Sequence, residues 1–422
     1  MISRLFIFFC FLLLSISCNK DEETGSSEKP LIGFRINMDP DFHTGLKSWI
    51  VFSNPEGEII EISDITDSVS HTVYMRPGPV FHATHIYYSK YLDIEPDGSM
   101  REFIYLKTYA FLDGEVTTLN LKAPVPFTEL EDSAKTLTVH MNVLESRIKE
   151  SLISGTLTGA RNTIRVEGLK VLEGRETVFN FVHLKGEDNW RIKFLDNVED
   201  GSFHWIELEE MEEIPIRKVQ VPDFYDVDFD VTGIIDCEED HAHLLQWYSP
   251  AENGIIESRY LPEGNDLFPH YRTNIRLQHQ NKKYQYIRVG TPIDQYEPTE
   301  IDFSVTDENF DNFQMTTASS PYTLYEIKYS HKDFNHAEWL VYSTMEDTFV
   351  APDLTEILKS DVPWFHKSLL TLNEVKEYHF SEFTGYNDWL RYEFDPDPSL
   401  KVCSRDKLNF GEEATIRSLM FE

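Results

Sequence analysis

From Ile32 onward, apolar and polar side chains alternate in short runs, and long amphipathic helices are scarce. Ile32 to Asn37 (IGFRIN), Ser48 to Phe52 (SWIVF), Phe103 to Thr108 (FIYLKT) and Thr136 to His140 (TLTVH) are rich in β-branched and aromatic residues. Side chains alternate across a strand, so this pattern buries one face of a sheet and not one stripe of a helix. Asn54-Pro55-Glu56-Gly57, Glu95-Pro96-Asp97-Gly98 and Leu112-Asp113-Gly114 supply the turn chemistry that hairpins need. The helical candidates, Leu144 to Leu152 and Leu354 to Ser360, are short. The expected fold is mainly β: tandem β-sandwich modules, immunoglobulin-like or similar, with few short helices.

A faint repeat accompanies the alternation. Val227-Asp228-Phe229-Asp230-Val231-Thr232 matches Ile301-Asp302-Phe303-Ser304-Val305-Thr306, and a tryptophan opens a strand-like run downstream at Trp49, Trp190, Trp247 and Trp339, with a further copy around Trp389. Proline-bearing connectors precede three opening strands, at Ala123-Pro124-Val125-Pro126, Val221-Pro222 and Glu297-Pro298. A length of 422 residues leaves room for two to four domains of about 100–200 residues. The expected division is 31–130, 131–221, 222–298 and 299–422, against one larger irregular all-β domain as the alternative.

Composition narrows the function. There are 73 acidic and 38 basic residues, a formal charge of −35, which excludes a phosphate-backbone binder and so a nucleic-acid partner. Aromatic residues make up 13% of the chain, too many for a disordered acidic solubiliser.

The amino terminus carries an address. Arg4 precedes the apolar run Leu5 to Leu14 (LFIFFCFLLL), too short to span about 30 Å of hydrocarbon but suited to the apolar region of a signal peptide. Ser15 and Ser17 then lead into Cys18, followed by Asn19-Lys20-Asp21-Glu22-Glu23. This segment resembles a bacterial lipoprotein signal, and the lysine and acids behind the cysteine resemble the surface-export signal of Bacteroidota lipoproteins. Ser15 stands where a lipobox usually has its apolar residue. The resemblance implies cleavage after residue 17, acylation of Cys18, and a mature protein lipid-anchored on the outer face of the outer membrane. Cleavage by the general signal peptidase, giving a free periplasmic protein, is the alternative. Residues 18–30 contain no large apolar side chain and read as a solvated tether. No later run of about 18 apolar residues follows.

Of the candidate site residues, strand-opening tryptophans read as core. Trp205, Trp364, Tyr386 and the Tyr87-Tyr88 pair stand in turn-like or irregular sequence and are the candidate ligand-binding aromatics, because an aromatic face suits the apolar face of a pyranose ring. Asp240, His241 and His243, within Asp236-Cys237-Glu238-Glu239-Asp240-His241-Ala242-His243, are the candidate metal ligands; a solvated acidic loop is the plainer reading. His82-Ala83-Thr84-His85 reads as a solvent-facing strand. Asp226, Asp228 and Asp230 alternate with apolar residues; they offer hard oxygens for calcium or a solvated edge strand. Cys237 and Cys403 are left in the mature body, paired or free. Asp67-Ser68-Val69 and Asp132-Ser133-Ala134 resemble the Bacteroidota O-glycosylation pattern.

No nucleophile elbow, zinc-protease helix or phosphate loop is present, so no catalytic residue and no cofactor is assigned. The expectation is a non-catalytic binding or display protein, capturing glycan or another surface protein. The alternatives are an adhesion or fibre subunit that pairs through strand edges, and a carboxylate-dependent glycoside hydrolase.

Overall fold

A computed structural model describes residues 32–38, 47–66, 68, 70–76, 78, 80–92, 100–113, 118–121, 134–155, 159–172, 176–223, 225–236, 241–246, 250–261, 267–317, 322–332, 335–344, 349–394 and 413–421. The fold is mainly β, as the alternation requires. Twelve strands hydrogen-bond into one continuous sheet. From one edge they run His241–Gln246, Asp226–Asp236, His270–His279, Lys282–Gly290, Glu413–Met420 and Thr371–Phe380. The order continues with Leu324–Lys332, His336–Ser343, Met100–Asp113, Val80–Leu92, Lys47–Ser53 and Ile59–Asp64. Every pairing is antiparallel except His336–Ser343 beside Met100–Asp113, which is parallel and joins the early strands to the late ones. The sheet thus takes in strands from 31–130, 222–298 and 299–422.

Both faces of this sheet are covered over much of their extent. On one, Ile32–Met38 with its neighbours Ser70–Met75 and Thr118–Leu121 packs a second layer, and Phe34, Phe52, Phe81 and Leu390 share its core. On the other, the hairpin Phe303–Asp307/Gln314–Thr317 and the helix Thr355–Leu358 close over Tyr329, Trp339 and Val375. Burying each such side chain contributes about 1.5–3 kcal/mol. Trp339 lies mid-strand in His336–Ser343 as core, and its indole Nε1 donates to Thr108 Oγ1 at 2.8 Å.

Residues 134–215 form a sandwich of their own. The sheet Gly159–Arg161, Ile148–Ser154, Thr177–Leu184, Asn189–Asp196, Glu212–Pro215 lies over Arg165–Leu172, Ala134–Asn142, Phe203–Glu207. Val139, Ile153, Val182 and Ile206 fill the space between. The outer face of the five-stranded sheet packs through Phe181 and Trp190 onto Phe229 and Tyr260. A sheet buried on both sides loses its alternation, and the seven residues from Val178 to Leu184 are all buried. The three-stranded sheet is the outermost layer of this part of the molecule.

Three local expectations are corrected and one stands. Leu144 to Leu152 is a single 3₁₀ turn, Glu145–Arg147, leading into a strand; on that strand Leu152 and Ile153 are buried on opposite faces and Ile148 is partly buried. The segment around Trp389 is the helix Tyr386–Phe394, because Tyr386, Trp389, Leu390 and Phe394 fall on one helical face and are buried together. His82 and His85 lie in a strand but are buried. Asp226, Asp228 and Asp230 pair with His270–His279 on one side, and His241–Gln246 reaches only Val231–Asp236, so among the described residues they stand on an edge, where Arg276 meets Asp228 and Asp230.

Candidate functional site

The strand Phe203–Glu207 pairs in parallel with Ala134–Asn142 and forms an edge of the three-stranded sheet. Ile206 points into the sandwich core. Period-two geometry then sends Phe203, Trp205 and Glu207 outward. Register sets Trp205 opposite His140 and Glu207 opposite Asn142. The outcome is an exposed aromatic face. Phe203 is 56% and Trp205 49% exposed, where large aromatics are ordinarily buried.

This face is ordered by its neighbours. The imidazole of His140 stacks on the indole of Trp205, with centroids 4.3 Å apart and planes 20° apart. Phe203 lies 6.3 Å away, tilted 33°. Trp205 Nε1 donates to Glu207 Oε1 at 2.7 Å, and Asn142 Nδ2 donates to Glu207 Oε2 at 2.7 Å. The carboxylate therefore ties the indole edge to the neighbouring strand. His140, on the neighbouring strand, covers one face of the indole, and Trp205 remains 49% exposed. An open aromatic face beside a carboxylate and an amide can stack against the C–H face of a sugar while accepting from and donating to its hydroxyls.

The other candidates lie elsewhere. Trp364 is half-buried, donating its Nε1 to Glu102 Oε2 at 2.5 Å and packing edge-on to Phe365. Tyr386 is buried in its helix, with its hydroxyl donating to the Tyr342 carbonyl at 2.9 Å. Tyr88 is buried and Tyr87 partly so. Trp205, Trp364 and Tyr386 belong to three separate regions of packing.

His243 is buried, hydrogen-bonded to Thr177 Oγ1 at 2.5 Å and flanked by Phe194 and Phe268. Asp240, Cys18, Cys237 and Cys403 lie outside the described residues, as do the His241 side chain and most of the two glycosylation-like triplets. Among the described residues no group of three or more His, Cys, Asp or Glu is placed to hold a metal ion.

Sequence reasoning reached Trp205 but missed Phe203, His140, Glu207 and Asn142. The alternation Phe203-x-Trp205-x-Glu207 was the available signal, since it places all three on one strand face. His140 and Asn142 come from a partner strand more than sixty residues away, and local pattern does not report that register. The chain matches no protein-family model and no curated protein sequence.

Proposed function

We propose that this chain is a surface lipoprotein, acylated at Cys18 on the outer membrane, whose β-sheet body captures glycan at the Trp205 face without catalysis. The signal-like segment and the Lys20-Asp21-Glu22-Glu23 run behind Cys18 support the anchor, and more than one acyl chain holds such a protein stably. The exposed indole of Trp205, fixed at its edge by Glu207 and backed by His140, carries the glycan reading. Net charge bears on the ligand: a body at −35 repels polyanions, so neutral polysaccharides are the class expected.

Affinity electrophoresis through gels containing neutral soluble polysaccharides tests this. Wild type is retarded by at least one, and Trp205→Ala loses about tenfold or more in affinity, as for a central tryptophan anchor. Equal retardation of wild type and Trp205→Ala removes the platform from the account. Metabolic palmitate labelling of wild type but not of Cys18→Ala is the matching result for the anchor.

A further inference from the structure

On the large sheet, where the cover of Ile32–Met38 and its neighbours ends, lies a groove of about 400 Å³. Small-molecule sites span about 300–1,000 Å³. Five strands floor it, and their register sets two rows of side chains facing it. The inner row is Asp228, Arg276, Gln285, Ile416 and Tyr378; the outer is Asp226, Gln278, Lys283, Ser418 and Lys376.

Charge limits what can enter. Asp226, Asp228 and Glu374 balance Arg276, Lys283 and Lys376, so the lining is neutral in a chain that is strongly acidic. Most of these charges are engaged. Arg276 Nη2 contacts Asp228 Oδ2 at 2.8 Å and Asp230 Oδ2 at 2.7 Å, and Lys376 Nζ contacts Glu326 at 2.7 Å and Glu374 at 3.4 Å. A charged ligand would break one of these pairs, or meet Lys283 or Asp226 and leave the groove with a net charge.

Hydrogen-bonding chemistry limits it further. Carboxylate, guanidinium and amide follow one another across the first three strands, so acceptors stand beside donors at that end of the groove. A hydroxyl both donates and accepts, and neighbouring hydroxyls on one ring complement such an array. Ile416 and the Tyr378 ring, both in the adjoining core, add apolar surface for C–H groups. Asp228 Oδ1 is buried with no hydrogen-bond partner among the described residues, an imperfection more in keeping with a site than with a framework.

We propose that this groove binds a neutral saccharide of one or two residues through its hydroxyls, as a site separate from the Trp205 face. The two share no residue and lie on different sheets, so either can fail alone.

The test uses the full chain in detergent, with maltose, cellobiose, lactose and mannobiose as probes and glucuronate and lysine as charged controls, followed by calorimetry. Lys283→Met and Gln278→Ala remove groove side chains that hold no ion pair or hydrogen bond among the described residues, and their melting curves should match wild type. At least one disaccharide binds wild type, each substitution weakens it about fivefold, and Trp205→Ala leaves it unchanged. The proposal is overturned if none of the four disaccharides binds, if a charged control binds better than all of them, or if affinity survives both groove substitutions. Loss of disaccharide binding in Trp205→Ala alone overturns it too, because the sugar then sits on the other face.

Discussion

Arg259 is 2% exposed, and its position explains how the 134–215 sandwich is fixed to the sheet beyond it. Its guanidinium lies 3.8 Å over the Phe181 ring, donates through Nη1 to the Leu245 carbonyl at 2.6 Å, and pairs with Glu150. Burial lowers its pKa and Glu150 opposes that. Arg259→Met should cost about 3 kcal/mol in urea unfolding, because it leaves the half-buried Glu150 carboxylate with the longer 3.8 Å contact to Arg161 and vacates a stacked site. Adding Glu150→Gln should restore part of that loss, since removing both charges is cheaper than removing one. Nothing near Arg259 in the sequence announces this role, as its partners come from three separate strands.

Two histidines give a pH dependence at the same scale. Burial lowers His82 from 6.5 to about 4 and His85, with Lys107 nearby, to about 3. Between those values and 6.5 the unfolded chain binds more protons than the folded one. Their contribution is therefore complete above pH 6.5 and is lost as pH falls toward 4. Denaturation midpoints should drop across that interval. His82→Gln, which keeps an acceptor for the Phe111 N–H that His82 Nδ1 now receives at 2.9 Å, should flatten the drop by up to about 3 kcal/mol.

At the scale of elements, two tryptophans make the contrast. Trp389 is buried on its helix, stacked near Tyr342 and Tyr386, so Trp389→Ala should cost about 3–5 kcal/mol. Trp205→Ala, on an exposed strand face, should shift thermal melting little, and a calorimetric scan of both variants separates the cases. The hairpin Lys47–Ser53/Ile59–Asp64 was legible from Asn54-Pro55-Glu56-Gly57: Gly57 has φ 82°, and its N–H donates to the Asn54 carbonyl at 3.0 Å. The helix Tyr386–Phe394 was not, since Asp388-Trp389-Leu390-Arg391-Tyr392 mimics a strand over five residues. Only the spacing from Tyr386 to Phe394 reveals the helical face. The Trp205 strand was half legible: its residue type stood out, but its exposure depends on being the outermost layer.

For the whole molecule, the alternation carried the fold class and left the assembly open. The parallel contact of His336–Ser343 with Met100–Asp113, and the second buried face of Thr177–Leu184, are long-range pairings that no local window encodes. The groove was hidden likewise: Asp226, Asp228 and Asp230 were visible as an acidic stripe, while Arg276, Lys283 and Lys376 join them only through the order of strands. Among the described residues no helix is long and apolar enough to cross a membrane; the proposed attachment rests on Cys18 and the proposed recognition on the folded body. Binding of fluorescein-labelled neutral polysaccharides to intact cells carrying the wild type, Cys18→Ala or Trp205→Ala joins these two parts in one measurement. The account predicts labelled wild-type cells and background signal on both variants, with Trp205→Ala still present at the surface. Wild-type labelling on Trp205→Ala cells, or on cells whose chain lacks Cys18, would contradict it.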